Sequence, residues 1–77
     1  MGKVITNSLA KRKPYGFFAG KKAISIVLQR NLGGEEIPAG STVTITGAFH
    51  SKTELNIKFN DVHIHNVWCE QLELIEP

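Results

Sequence analysis

"LNIKFNDVHIHNV", residues 55–67, decides the fold class. Leu55, Ile57 and Phe59 alternate with Asn56 and Lys58, the period-two pattern of a strand with one buried face. Asn60-Asp61 then makes a two-residue turn, because asparagine tolerates positive φ. Across that turn Phe59 faces Val62 and Ile57 faces Ile64 on the inward side. Lys58 faces His63, and Asn56 faces His65, on the outward side. A slip of one residue would bury the polar set, so the register is self-consistent. A tight β-hairpin is expected, with Ile57, Phe59, Val62 and Ile64 in the core.

The neighbouring segments extend the same pattern. In "TVTITGAF", residues 42–49, Val43 and Ile45 point inward while Thr42, Thr44 and Thr46 point out. Gly47 there marks a bulge or sharp bend. In "AISIVLQ", residues 23–29, Ile24, Ile26 and Leu28 alternate with Ser25, Val27 and Gln29, which predicts a strand burying the isoleucine–leucine face. Between them "RNLGGEEIPAGS", residues 30–41, reads as a long loop from its glycines and proline. Downstream, "NVWCEQ" breaks the alternation and reads as a single 3₁₀ turn. "LELIEP" closes the chain as a short strand. No segment carries a helix-length 3.6-residue period. At the start, "KVITNSL", residues 3–9, reads as a further or edge strand. "KPYG", residues 13–16, reads as a turn, where Pro14 discourages a central strand.

Five short strands, a long first loop, the tight "FNDVHI" hairpin and the step in "NVWCEQLELIE" together resemble the SH3-like small β-barrels. The resemblance covers about residues 23–76. SH3-like, KOW-like and tudor-like barrels place a turn before their last strand, as this chain does. It implies an all-β, five-stranded SH3-like barrel over residues 23–77, with residues 1–22 as a basic N-terminal arm or added edge strand. It also implies a binding module, but no particular ligand, because fold does not give function.

At 77 residues the chain is one domain, and only roughly 60% of its unfolded surface is buried on folding. A deep pocket around a buried multi-residue catalytic centre is hard to fit at this size. No apolar run approaches the ~20 residues that cross a bilayer, and no h-region of a signal peptide is present. Met1-Gly2 with Thr6 matches the short N-myristoylation pattern, which nothing else in the chain supports. The single cysteine, Cys69, excludes an internal disulfide and fits a reducing compartment, with cytoplasm as the default.

The charge is unevenly spread. Residues 1–30 carry seven Lys and Arg and no acid, whereas residues 31–77 carry two Lys and seven acids. "AKRKPYGFFAGKK", residues 10–22, concentrates this asymmetry and interleaves it with rings. Lys11, Arg12, Lys13, Lys21 and Lys22 suit phosphate contacts, which act through charge with little regard to sequence. Tyr15, Phe17 and Phe18 suit stacking on unpaired bases. At least one of the two phenylalanines is expected to pack on the core instead. Trp68 is either a core plug or an exposed contact of the kind favoured at interface centres.

Other constellations are weaker. His63 and His65 share one strand face, as metal ligation requires, but His50 and Cys69 lack diagnostic spacing as further ligands. His63 and His65 read as outward polar residues, so no metal and no cofactor is expected. Cys69 beside Trp68 reads as a small buried hydrophobe rather than a nucleophile. Glu73 and Glu76 flank the last strand as solvated positions. "NLGGEE" lacks the Lys-Ser/Thr of a phosphate loop, and its acids would repel phosphate. The expected function is therefore a non-catalytic binding module, an accessory protein of a phage or bacterium that contacts nucleic acid or a nucleoprotein. A protein–protein module acting through a strand edge, the 30–41 loop or exposed aromatics is the alternative. An enzyme assembled by oligomerisation is a third, for which the chain offers no residue set.

Overall fold

The computed structural model describes residues 3–14, 16–48 and 52–75. The hairpin forms in the expected register near its turn. Its strands are β6 (Glu54–Phe59) and β7 (Val62–Trp68), numbered in chain order. Phe59 lies opposite Val62, Lys58 opposite His63 and Ile57 opposite Ile64. Asn60 takes φ +54° at the turn, while Asp61 does not take positive φ, so the turn is not the type I′ in which both residues do.

Beyond Ile57 the expected Asn56–His65 pair is replaced by a bulge. The next pair is Leu55 with Val67, which leaves one extra residue on β7, and Asn66 takes φ +64°. Strict alternation from Ile64 would turn Asn66 inward and Val67 out. The extra residue resets the phase, so Ile64 and Val67 are both buried. A second shift lies between Ile45 and Gly47 on β5 (Thr42–Ala48), where Gly47 was expected to allow one.

The other strands are β1 (Lys3–Val4), β2 (Lys22–Ser25), β3 (Gln29–Arg30), β4 (Glu36–Ile37) and β8 (Leu72–Leu74). All pairings are antiparallel. The main sheet runs β1-β8-β2-β5-β6-β7, and β3 pairs only with β4. The protein is thus mostly β-sheet, but its sheet has six strands rather than five. Among the described residues no pairing closes β1 onto β7, so the sheet is open. Both edges are shielded from further pairing. β1 is two residues long and carries Lys3. β7 is bulged, and the Asn31 side-chain amide donates to the His63 carbonyl at 3.2 Å.

The long loop folds back on itself as the β3–β4 hairpin. Ile37 from it is fully buried, and the exposed Arg30–Glu36 ion pair spans the two strands. Exposed pairs of this kind contribute about 0–1 kcal/mol, so buried Ile37, at about 1.5–3 kcal/mol, does more to hold the hairpin. The 3₁₀ turn forms at Cys69–Gln71, immediately before β8.

Two expectations fail. The segment 23–29 buries Ala23, Ser25 and Gln29, while Ile26, Val27 and Leu28 are exposed. β2 sits between β5 and β8, and the chain leaves the sheet after Ser25, where the Ser25 hydroxyl donates to the Val27 carbonyl at 2.7 Å. The larger side chains therefore lie beyond the strand. Second, Phe59 and Val62 are only half-buried at the hairpin end and pack against the core from its margin.

A helix also appears that no periodicity announced: α1, Asn7–Arg12. Thr6 caps it, its hydroxyl accepting from the Leu9 amide at 3.1 Å. Lys11 and Arg12 sit in the last turn, where cations offset the exposed carbonyls. Pro14 then blocks continuation. With Ile5, Ala10 and Phe18 in the core cluster, the described part of residues 3–22 is packed onto the sheet.

Candidate anion-binding cleft

After Pro14 the chain winds through consecutive turns that carry the two phenylalanines. The Phe17 amide donates to the Pro14 carbonyl and the Ala19 amide to the Gly16 carbonyl, both at 3.0 Å. Gly16 and Gly20 take φ +82° and +86°, conformations that side-chain-bearing residues rarely adopt. Two bonds fasten this segment to the sheet. The Gly20 amide donates to the Ile45 carbonyl at 2.6 Å, and the Ile45 amide to the Lys21 carbonyl at 2.8 Å. Phe18 is thereby driven into the core, at 4% exposure, and Phe17 is left at the surface at 38%. The rings meet edge-to-face at 5.1 Å.

Around Phe17 the chain assembles a cleft of about 280 Å³. Lys3 comes from β1, Lys13 from the end of α1 and Lys21 from the last turn before β2. Leu9, Leu74 and Ile75 are its apolar floor, and buried Phe18 is a wall. The Lys13 and Lys21 ammonium groups lie 4.8 Å and 4.6 Å from the Phe17 ring centroid. Such contacts contribute about 0.5–1 kcal/mol each at exposed sites. They hold two like charges near one ring, while the half-buried lysine stems lie along apolar surface. Among the described residues no carboxylate lines the cleft. Three lysines with no acid among the described lining residues favour an anion there.

The nine residues singled out from the sequence are only partly brought together. Lys13, Phe17, Phe18 and Lys21 line the cleft. Phe18 is a wall and is too buried to stack on a base. The Phe17 ring is engaged by two ammonium groups rather than presented bare. Lys11 and Arg12 are exposed on α1 outside the lining, and the Lys11 carbonyl accepts from Lys52 Nζ at 3.3 Å. Lys22 is exposed and its Nζ donates to Thr44 Oγ1 at 3.3 Å. Trp68 is 54% exposed at the end of β7, so it is no core plug. Tyr15 lies outside the described residues.

Lys3, Leu9, Leu74 and Ile75 were missed. Lys3 and Leu74 meet through the pairing of β1 with β8, and Leu9 comes from α1. No short-range pattern carries that pairing.

His63 and His65 are exposed on β7, beside Arg30, Asn31 and Leu32 in a wider groove of about 550 Å³. His50 lies outside the described residues. Cys69 is fully buried under the 3₁₀ turn, and burial, with the Glu70 charge adding to it, pushes its thiol above the ordinary value. Among the described residues no three His, Cys, Asp or Glu side chains come together as a metal site. No helix among them is long and apolar enough to cross a membrane.

Comparison with protein-family models, with curated proteins and with solved structures finds no match to this chain.

Proposed function

We propose that this chain is a non-catalytic binding module that contacts nucleic acid through the Lys3–Lys13–Lys21 cleft. The observation that carries the reading is the convergence of three lysines from distant positions on one cleft, with no carboxylate among its described lining residues. Two of them are held at a ring, so part of the cost of gathering like charges is met before a ligand arrives. Phosphates bind such a site through charge and counterion release. The acid-free first thirty residues extend the positive surface beyond the cleft.

The element order supports an SH3-like reading of the fold. A long first loop, a tight hairpin and a 3₁₀ turn before a short last strand occur in that order, with β1 added at one edge. Small folds of this kind commonly serve as binding modules. The lone thiol supports a reducing compartment, and we place the protein in the cytoplasm of a bacterium or phage-infected cell, as an accessory protein.

A protein–protein role is the second reading. Exposed Trp68, with exposed Ile26, Val27, Leu28 and Leu32, favours it. Titration of a short labelled single strand at several salt concentrations separates the two. Binding that weakens steeply with salt supports the nucleic-acid role. Absence of binding at low salt, where the phosphate contribution is greatest, defeats it and promotes the protein contact.

A further inference from the structure

We propose that the cleft takes one unpaired nucleotide of a single strand, its phosphates against Lys3, Lys13 and Lys21 and its base against the apolar floor. This rests on the nucleic-acid reading above and deepens it. A site for an oxyanion alone needs cations and little else. Here the lining also includes Leu9, Leu74 and Ile75, an apolar floor that an oxyanion would leave bare. The volume, about 280 Å³, lies just below the ~300 Å³ at which small-ligand sites begin. That is room for a planar ring as well as a phosphate.

Phe17 has a different task from the stacking platform its exposure suggests. Its ring is occupied by Lys13 and Lys21, so it positions the phosphate contacts, and the base goes to the floor behind them. A base inside a duplex stays stacked and paired and cannot reach that floor without being extruded. Charge alone would favour the duplex, which carries one negative charge per ~1.7 Å of axis. Preference for the single strand is therefore diagnostic of the floor contact, because it opposes the electrostatic trend.

Two measurements on the full chain test this. Fluorescence anisotropy compares labelled oligo(dT) with its oligo(dT)·oligo(dA) duplex at low salt. Methyl NMR follows Leu9, Leu74 and Ile75 during addition of oligo(dT), of inorganic phosphate, and of phosphatidylglycerol vesicles. The expected result is single-strand binding about tenfold tighter than duplex binding, a difference of about 1.4 kcal/mol. Oligo(dT) should move the floor methyls, and inorganic phosphate should leave them in place. Equal or tighter duplex binding with unmoved floor methyls would overturn the nucleotide seat while leaving nucleic-acid binding standing. Floor methyls that respond to vesicles and not to oligo(dT) would overturn it in favour of a lipid. Failure to bind either nucleic acid at low salt would bring down the broader reading, and the seat with it.

Discussion

The Cys69 thiol donates to the Asn7 side-chain oxygen at 3.3 Å, joining residues 62 positions apart. It ties the short helix to the 3₁₀ turn. Six residues are too few for a stable helix in water, so α1 depends on this contact, on its Thr6 cap and on buried Ala10. Asn7→Ala should cost about 0.5–1.5 kcal/mol in urea unfolding, the usual net worth of one hydrogen bond. An unchanged midpoint would mean the contact carries no stability.

The same thiol sets a pH dependence. Burial raises its folded pKa, so the unfolded chain releases the proton at lower pH than the folded chain. The stability of the neutral thiol is complete below the ordinary value of about 8.5. It is lost as pH climbs from there through the higher folded value. Cys69→Ala should therefore show a shallower fall in urea midpoint than the parent between about pH 8 and pH 10. Equal slopes in the two proteins would refute the assignment.

Core truncations should rank by burial. Ile57 is fully buried opposite Ile45 and Ile64, and Ile57→Ala should cost about 2–5 kcal/mol. Phe59 sits half-buried at the hairpin end, so Phe59→Ala should cost less despite removing more atoms. A 77-residue domain of ordinary stability has only about 4–12 kcal/mol in all, so the difference decides whether the variant folds. A larger loss at Phe59 than at Ile57 would show the inward face to be centred at the turn.

The hairpin, β5 and the 3₁₀ step were legible because each is a local pattern: alternation, a left-handed asparagine, an interruption before a last strand. The helix was not, since Asn7–Arg12 spans less than two turns and cannot show a 3.6 period. Its readable signals were punctuation, Thr6 before it and Pro14 after it. The face of residues 23–29 was misread because hydrophobicity ranks Ile26 and Leu28 above Ala23 and Ser25. A central position between two strands left only the small residues inside. Of the cleft, the charge and ring interleaving of residues 10–22 was visible. Lys3 and Leu74 were not, because they meet through pairing across some seventy residues of chain.

Asn66 offers a test of the bulge that replaced the expected pairing. At φ +64° a residue other than glycine or asparagine is strained by about 1–2 kcal/mol. Asn66→Gly should be neutral or slightly stabilising, and Asn66→Val should be destabilised by at least about 1 kcal/mol. His63→Val on the same strand should cost little, because the His63 side chain is outward and exposed. If Asn66→Val and His63→Val unfold at the same urea concentration, Val67 does not owe its inward placement to a left-handed Asn66.

The cleft, rather than the whole basic segment, should set the salt dependence of binding. Lys13 and Lys21 line it, whereas Lys11 and Arg12 stand outside on the exposed side of α1. Each lost phosphate contact on a single strand lowers the slope of log affinity against log salt by roughly 0.7. Joint replacement of Lys13 and Lys21 by Ala should thus flatten the slope by about 1.4. The Lys11 and Arg12 pair should change it less, although both pairs remove two charges. His63→Ala with His65→Ala should leave it unaltered, because both lie on β7 in the wider groove beside Arg30, outside the cleft lining. Melting temperatures of the variants guard against mistaking unfolding for lost contact. If the Lys11 and Arg12 pair flattens the slope as much as the Lys13 and Lys21 pair, binding follows overall charge, and the ring-held lysines have no special part in it.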